Sequence, residues 1–587
     1  MITKNWTDNW AHRLRIAFVL SFITAILAGG IPAYEWNKTT SGWYFSWLHA
    51  RLLSKTPLGN YGLVAKLNMP PRPWLRLVCD ANPNICSLYV EKTDKFLMTY
   101  PAIGAVSMAA LFFFLLIAMG SRRRQSNEQH RRGARVVEAK ELQKLLRREP
   151  ADIMLGGVPF PRRDETRHLL LAGSPGSGKT VAFNTILQIL RNRGDRAIVI
   201  DAGGAFLQKF ARQGDVLLNP FDKRSQKWSP FADATTTWEI EAMARSLIPP
   251  GEGSNKVWQD LAKTVLAGLM EQCAANGIAT NNALAVLATC ANPQVLANVL
   301  RGHPAESLVG SGSPSTVGSI LTNLGEASAG LRYLNQDAGS GSFSIRDWVR
   351  EGDGWMFVSF QVGQREALKH IMAAQLDVVA RTVLDLLPDE SRRIWLIVDE
   401  APLLGKVNSL VEFLSNGRRF GGCAVIGIQA ISQLRDAYGR EGAATMLSCL
   451  SSQLVLRAAD GETAEQMSKL LGEKEILRRT RSEGKTEQGS SMNEQEQITQ
   501  TRAVLASQLQ NLKDLHGYFN IVGDRPVASV CLQIPKIPDG VNQPFVAAQM
   551  PARRAFTLPA SMQSDSCEVP APREASVESS TDWREHI

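Results

Sequence analysis

The chain has 587 residues, of which 44% are hydrophobic and 21% are charged, and its formal net charge is +9. This apolar content is ample for packed cores and excludes wholesale disorder. The length indicates several domains, and the mild basic excess is compatible with a nucleic-acid or anionic-lipid partner without establishing either.

Two uncharged apolar stretches lie near the N-terminus, at residues 16–33 and 98–120. Each has about the twenty residues that a helix needs to cross the hydrocarbon layer. We predict two transmembrane helices, the first an uncleaved anchor because no small-residue cleavage site ends it. The cluster Arg122-Arg123-Arg124 after the second stretch argues against the alternative, a pair of buried core helices.

A glycine-rich loop follows the short apolar strand 168–172 and precedes a helical stretch predicted at 179–193. Its sequence is Gly173-Ser174-Pro175-Gly176-Ser177-Gly178-Lys179-Thr180. This matches G-x-x-x-x-G-K-[ST] in the order strand, loop, helix that a phosphate-binding loop requires. The sequence therefore predicts an ATP site, with backbone N–H groups around the phosphates, Lys179 at the β- and γ-phosphates and Thr180 on Mg²⁺.

A second motif, at residues 394–400, consists of five apolar residues followed by Asp399 and Glu400. The apolar run is typical of a strand buried on both faces of a parallel sheet, and ligands bind at the carboxyl ends of such strands. We predict that Asp399 lies on the magnesium side, acting through water, and that Glu400 orients the attacking water. The alternative is an acidic pair that caps a surface turn.

The nucleotide motifs also orient the membrane segments, because ATP is cytoplasmic. We expect residues 1–15 and everything after residue 120 to lie inside the cell, and the loop 34–97 to lie outside. The loop itself carries more basic than acidic residues, so charge alone is ambiguous. Whether Cys79 and Cys86 form a disulfide in that loop stays open.

Further strands are predicted at 196–201, 355–360 and 423–428, and a long amphipathic helix at about 365–387. Between about residues 233 and 330 the apolar residues have helical spacing, for example along 258–266. Strands that alternate with helices predict an α/β fold with a parallel, doubly wound sheet.

The order of these motifs resembles the conjugative coupling proteins of the TraD/TrwB type, within the FtsK/HerA-like branch of P-loop ATPases. The resemblance runs from about Gly133 to Pro538. Besides the two motifs above it rests on Leu218-Asn219-Pro220-Phe221-Asp222, Trp228-Ser229-Pro230, Gly417-Arg418-Arg419-Phe420-Gly421, Gln429, Asp460-Gly461-Glu462-Thr463-Ala464 and Leu471-Gly472.

The resemblance implies a RecA-like nucleotide-binding domain built from residues 121–232 and 331–548, with an all-α domain at 233–330 inserted in it. It also implies a homo-hexameric ring with a central channel, anchored in the bacterial inner membrane. Such a ring would bind DNA without sequence preference and would couple a relaxase with its relaxosome proteins to the channel proteins of a type IV secretion system, driving DNA transfer in conjugation.

Two further site residues follow from the resemblance alone. Arg418 looks like an arginine finger offered to the neighbouring subunit's nucleotide, with Arg419 as a rival and an ordinary surface arginine as the alternative. Gln429 looks like a polar sensor at a strand end that contacts the γ-phosphate or the attacking water; its alternative is a satisfied polar residue.

The C-terminal region contains two polar segments. Residues 478–500 are rich in Glu, Gln, Gly and Ser, which predicts a solvated loop. Residues 549–587 are predicted to be a disordered tail, acidic from Ser561 onward. The tail could dock a relaxosome protein or could be inert.

Two other functions stay open at this stage. One is a chromosome translocase of the FtsK kind, against which the two rather than four predicted membrane spans argue. The other is a receptor for secreted proteins that uses nucleotide only for assembly. The sequence does not distinguish a preference for single-stranded DNA from one for double-stranded DNA.

Overall fold

The computed structural model describes residues 128–248, 255–486, 489–538 and 542–549, besides the single position 109. The predicted N-terminal segment, both predicted membrane helices, the loop with Cys79 and Cys86, and the tail beyond residue 549 otherwise lie outside the described residues. Within the described part of the chain, no helix combines the length and apolar character that crossing a bilayer requires.

Strands and helices alternate through much of the chain. The strands are β1 Glu128–Gly133, β2 Val136–Glu138, β3 Ile153–Leu155, β4 Val158–Phe160, β5 Leu169–Ala172, β6 Arg196–Ala202, β7 Val216–Leu217, β8 Trp355–Phe360, β9 Ile394–Val398, β10 Gly422–Ile428, β11 Ser452–Val455, β12 Glu473–Thr486, β13 Gly489–Arg502, β14 His516–Asn520 and β15 Val527–Cys531. The α-helices are α1 Ala139–Leu145, α2 Lys179–Arg193, α3 Ala205–Phe210, α4 Pro230–Asp233, α5 Thr237–Leu247, α6 Asn255–Ala275, α7 Asn281–Ala288, α8 Pro293–Val299, α9 Glu306–Gly310, α10 Pro314–Ser328, α11 Ile345–Glu351, α12 Arg365–Leu384, α13 Asn408–Asn416, α14 Ile431–Cys449, α15 Gly461–Leu470 and α16 Ala506–Gln510.

The centre of the described fold is a ten-stranded, mostly parallel sheet. Its strand order is β2-β15-β14-β11-β5-β10-β9-β6-β8-β7. All neighbours from β11 to β7 pair in parallel, whereas β14 runs antiparallel to both β11 and β15. The glycine loop follows β5, and the acidic pair Asp399-Glu400 follows β9. Strand β10 lies between these two strands.

The central strands are buried on both faces. In β9, Leu396 and Val398 join one hydrophobic core, while Trp395 and Ile397 join a second core on the opposite face. Helix α2 packs into the second core, and α12 packs into the first. This three-layer arrangement explains the uninterrupted apolar runs that the sequence shows in these strands.

The chain between β7 and β8 folds into helices α4–α11. Their apolar residues, such as Met243, Leu266 and Leu324, belong to the same core as Ile198 of β6. Several of the helices begin at side-chain caps; the Glu239 carboxylate accepts from the backbone N–H of Thr236 at the start of α5, for example. These helices therefore share one continuous hydrophobic core with that face of the sheet.

The prediction of a solvated loop at residues 478–500 is wrong. These residues form most of a β-hairpin, in which β12 and β13 pair without interruption from Glu473 with Arg502 to Thr486 with Gly489. Strand β1 pairs with β12 and makes a three-stranded sheet. The polar composition hid the hairpin because the sequence of these strands lacks the alternation of apolar and polar residues that marks a half-buried strand.

Candidate nucleotide site

The glycine loop connects β5 to α2 at the carboxyl edge of the sheet. Gly176 and Gly178 have φ angles of +74° and +116°, a region that side chains rarely adopt. A Cβ atom on Gly173 would come within 2.6 Å of the Ser177 hydroxyl. The loop therefore needs glycine at these positions to curl around the start of α2, where unpaired backbone N–H groups collect.

Lys179 is the first residue of α2, and its side chain is largely buried. Its ammonium group donates a hydrogen bond to the carbonyl oxygen of Gly173, across the loop. Burial lowers the pKa of Lys179 below its ordinary value, although the charges of Glu400 and Asp399 oppose that shift. The structure thus brings the lysine of the first motif and both acids of the second into one electrostatic cluster.

The acidic pair reaches the loop because the strands are in register. Ala172 of β5 lies beside Ile428 of β10, and Ile426 of β10 lies beside Val398, the last residue of β9. A Cβ atom on Gly427 would come within 1.8 Å of the Asp399 carbonyl oxygen, so only glycine allows the chains to approach this closely. Burial raises the pKa of Asp399, and the Lys179 charge opposes the shift.

Glu400 follows Asp399 and is 7% exposed. Burial raises the pKa of its carboxyl group to about 7, against the lowering effects of Lys179 and of hydrogen bonds from Gln429. Its Oε1 atom accepts from the backbone N–H of Gln429 at 3.2 Å. Its Oε2 atom is buried and has no hydrogen-bond partner among the described residues. A buried carboxylate oxygen without a partner is costly, and such an atom points to a missing ligand or water.

The remaining residues predicted for the site divide into two groups. Gln429 directly follows β10 and, through its contact with Glu400, lies with the acids. Pro175, Gly176 and Thr180 lie on the exposed side of the loop, where the Thr180 hydroxyl can meet solvent or a ligand.

Arg418 and Arg419 are not brought to this site. Both lie exposed in the 3₁₀ turn Gly417–Phe420, which precedes β10. The seven residues of β10 separate that turn from the carboxyl edge, a distance of roughly 20 Å at the usual rise per residue. Neither arginine is therefore placed to contact a nucleotide held by its own glycine loop.

Asp201 is a site neighbour to which the sequence reasoning gave no role. It is the second-last residue of β6, whose residue Ile200 pairs with Val398, so it lies beside Asp399. Burial raises its pKa to about 7, while backbone N–H groups at the start of α3, including that of Leu207 at 2.7 Å, oppose the shift. A carboxylate at the tip of a buried strand, the signal that marked Asp399, was present here too.

Two turns that flank the glycine loop were also missed. The backbone carbonyl of Arg457 accepts from the N–H of Ser174 at 2.7 Å, and the backbone N–H of Leu515 donates to the carbonyl of Ser177 at 2.9 Å. No local motif marks these residues, because they come from segments about 280 and 340 residues further along the chain.

The donor set fits a magnesium–nucleotide. The start of α2 offers backbone N–H groups and the Lys179 ammonium to phosphate oxygens. Thr180 and Asp399 offer the hydroxyl and carboxylate oxygens that Mg²⁺ prefers. The Oε2 atom of Glu400, which has no hydrogen-bond partner among the described residues, adds a buried acceptor to the same cluster. A glycine loop between strand and helix, at the carboxyl edge of a mostly parallel sheet, defines a P-loop protein of the α/β class.

Comparison with known families shows which family of P-loop proteins the chain belongs to. The model of the type IV secretion-system coupling protein DNA-binding domain matches residues 152–533. This is well over half of the chain, and the chain belongs to this coupling-protein family. The resemblance inferred from the motif order is thereby confirmed.

Individual relatives agree with this assignment. Coupling protein TraD of Escherichia coli (strain K12) is 28% identical over 435 residues, which cover 72% of this chain and 61% of the relative. The chain thus matches less than two thirds of that protein's length. Among solved structures, the unbound bacterial conjugative coupling protein TrwBdeltaN70 is 31% identical, with a TM-score of 0.65, over 71% of this chain and 96% of that one.

Related structures of TrwB carry nucleotides. One is a complex with the non-hydrolysable ATP analogue ADPNP, with 31% identity and a TM-score of 0.65 over 72% of this chain and 98% of that one. Another is a complex with ADP and Mg²⁺, with 31% identity and a TM-score of 0.64 over 71% and 96%. The expectation of an α/β fold with a mostly parallel sheet is confirmed by the structure and by this likeness.

Proposed function

We propose that the protein is a DNA-dependent ATPase that couples a relaxase–DNA complex to a type IV secretion channel and drives DNA transfer in conjugation. The observation that supports this most directly is the cluster of Lys179, Asp399 and Glu400 at one end of the glycine loop. The family membership and the nucleotide complexes of TrwB support the same proposal.

Within the site, each residue has a proposed task. Backbone N–H groups of the loop Gly173–Thr180 hold the phosphate oxygens, and Lys179 exchanges its bond to the Gly173 carbonyl for the β- and γ-phosphates. The hydroxyl of Thr180 and the carboxylate of Asp399 would hold Mg²⁺, which neutralises charge on the phosphates when bound. Because charge builds up on the phosphoryl oxygens during transfer, this preorganised cluster lowers the barrier.

Glu400 is the proposed base. Its Oε2 atom is free of partners among the described residues and can accept a proton from a water that attacks the γ-phosphate. Gln429 holds the other carboxylate oxygen through its backbone N–H, which fixes the orientation of the base. Gln429 would then report the state of the γ-phosphate to β10 and the turn at its far end.

The assembly is part of the same proposal. Two helices at 16–33 and 98–120 would anchor the protein in the inner membrane, with the nucleotide-binding domain (121–232 and 331–548) and the all-α domain (233–330) in the cytoplasm. Six copies would form a ring in which Arg418 serves the neighbour's nucleotide. Basic side chains facing the channel would contact DNA backbone phosphates, so binding should be independent of sequence and sensitive to salt.

The proposal is tested by measuring ATP hydrolysis of the full chain in detergent, with and without single- and double-stranded DNA. We expect DNA to stimulate turnover, and we expect Lys179→Ala to abolish it. Lys209→Ala, which changes an exposed lysine on α3 outside the site, is the matched control and should behave like the wild type. Full turnover in Lys179→Ala would refute the site.

The same measurement separates the pump from a receptor that uses nucleotide only for assembly. A receptor would bind ATP and a secreted protein, yet its turnover would not respond to DNA of either kind. That result would leave the nucleotide site intact and overturn the proposed role in DNA transfer.

A further inference from the structure

The strand that leads into the glycine loop has a different neighbour on each side. On one side of β5 lie β10, which is followed by Gln429, and β9, which is followed by Asp399-Glu400. On the other side lies β11, which pairs with β5 so that Val455 is level with Ala172. If the γ-phosphate lies between Lys179 and the acids, we expect the rest of the nucleotide to extend toward the β11 side of the loop.

The turn that follows β11 is attached to the glycine loop. The carbonyl of Arg457 accepts from both the backbone N–H and the hydroxyl of Ser174, at 2.7 and 2.9 Å. The same hydroxyl oxygen accepts from the backbone N–H of Ala459 at 2.7 Å. Ser174 is almost fully buried by these contacts. The backbone of Arg457 is therefore held at a fixed position beside the loop.

A second turn, which precedes β14, is attached to the other end of the loop. Besides the bond from Leu515 N–H to the Ser177 carbonyl, the Leu515 side chain lies so close to Gly178 that a Cβ there would meet it at 2.9 Å. Leu515 has a φ angle of +66°, a conformation unusual for a residue other than glycine. Backbone in such conformations persists where the surrounding contacts hold it, and it collects at functional sites.

An ion pair joins the two turns. The Arg457 guanidinium lies 2.8 Å from the Asp514 carboxylate, and the two side chains are 33% and 61% exposed. An ion pair this open to solvent contributes little to stability. Breaking this ion pair to bind a ligand therefore costs little free energy, while the backbones of both residues stay fixed beside the glycine loop.

We propose that Arg457 and Asp514 form the subsite for the nucleoside end of the bound nucleotide. Arg457 donates to an oxygen of the α-phosphate, and the Asp514 carboxylate accepts hydrogen bonds from the ribose hydroxyls. The inference rests on the proposed nucleotide site and names the residues that recognise the sugar. We expect both contacts to be equally strong in the ground state and in the transition state, in which case they lower KM and leave kcat unchanged.

The test compares ATP with 2′,3′-dideoxyATP, which lacks both ribose hydroxyls, as substrates of the full chain. The wild type should have a KM for ATP about tenfold lower than for the dideoxy analogue, the effect of losing hydrogen bonds to a charged group. Asp514→Ala should raise the KM for ATP by about the same factor and should abolish the preference. Arg457→Ala should raise the KM for both substrates with kcat unchanged, and Arg457→Lys should restore part of the loss.

The matched control is Arg435→Ala. Arg435 of α14 forms a comparable ion pair with Glu462 of α15, the two side chains being 29% and 49% exposed. This variant should keep both the KM and the preference of the wild type. The inference is overturned if Asp514→Ala keeps the preference for ATP, or if the wild type has none. A wild type that hydrolyses neither substrate, even with DNA, would instead overturn the proposed function on which the subsite rests.

Discussion

The two ends of strand β10 have opposite surroundings. At its carboxyl end, Gln429 binds Glu400 and lies within the cluster that surrounds Lys179. At its amino end, Arg418 and Arg419 lie exposed in a turn at the opposite edge of the sheet. Gln429 thus lies with its own subunit's site, whereas we propose that Arg418 serves the site of a neighbouring subunit. A ring in which each nucleotide lies at a subunit boundary would use both.

The largest expected effect on ATP turnover comes from a substitution at the amino end of β10. Arg418→Ala should lower DNA-stimulated ATP turnover by about a thousandfold, the lower range for loss of an arginine finger. Mixing this variant with inactive Lys179→Ala subunits should restore turnover, because each variant supplies what the other lacks. Arg419→Ala, in the same turn, is the matched control and should stay active. If mixing restores nothing, Arg418 does not act between subunits.

A smaller effect is expected at the carboxyl end. Gln429→Ala should lower kcat by about tenfold, the equivalent of about 1.4 kcal/mol, because the Glu400 carboxylate loses a side-chain hydrogen bond. In contrast to Arg418→Ala, mixing with Lys179→Ala subunits should give no recovery beyond the activity of the Gln429→Ala subunits themselves. Recovery would place Gln429 in a neighbour's site and would remove the distinction between the two ends.

The smallest effect is a dependence on pH. Burial raises the pKa of Glu400 to about 7, so its carboxyl group is mostly protonated below that pH and cannot accept a proton. We expect kcat/KM for ATP, which reports ionisation in the free enzyme, to rise with pH and to reach half its plateau at about pH 7. Glu400→Gln should lose most of the activity, and its remaining kcat/KM should no longer rise around pH 7. If the rise persists in Glu400→Gln, it reports the ionisation of another group.

Much of the α/β core could be predicted from the sequence. The strands that became β6, β8, β9 and β10 were marked by runs of four or more apolar residues, because burial on both faces leaves few polar positions. The helix predicted at 179–193 has those bounds in the structure, and the helix predicted at about 365–387 ends at Leu384. The assignment of Lys179 and the acids to one site followed from where parallel strands end.

Other features depended on contacts that no local pattern records. The β12–β13 hairpin is polar, so its strands lack the alternation that marks a half-buried strand. Arg457 and Asp514 reach the glycine loop only after the whole sheet has assembled, and nothing near them in sequence resembles a binding motif. The roles of Arg418 and Gln429 came from family resemblance and stay predictions, because the first needs a neighbouring subunit and the second a bound phosphate.

The central claim is that a magnesium–nucleotide is held between Lys179 and the tip of β9. Calorimetric titration of ATP into the full chain, with and without Mg²⁺, tests this most directly. We predict binding that Mg²⁺ strengthens in the wild type, no binding in Lys179→Ala, and binding that Mg²⁺ no longer strengthens in Asp399→Asn. Unchanged, Mg²⁺-dependent binding in both variants would contradict it.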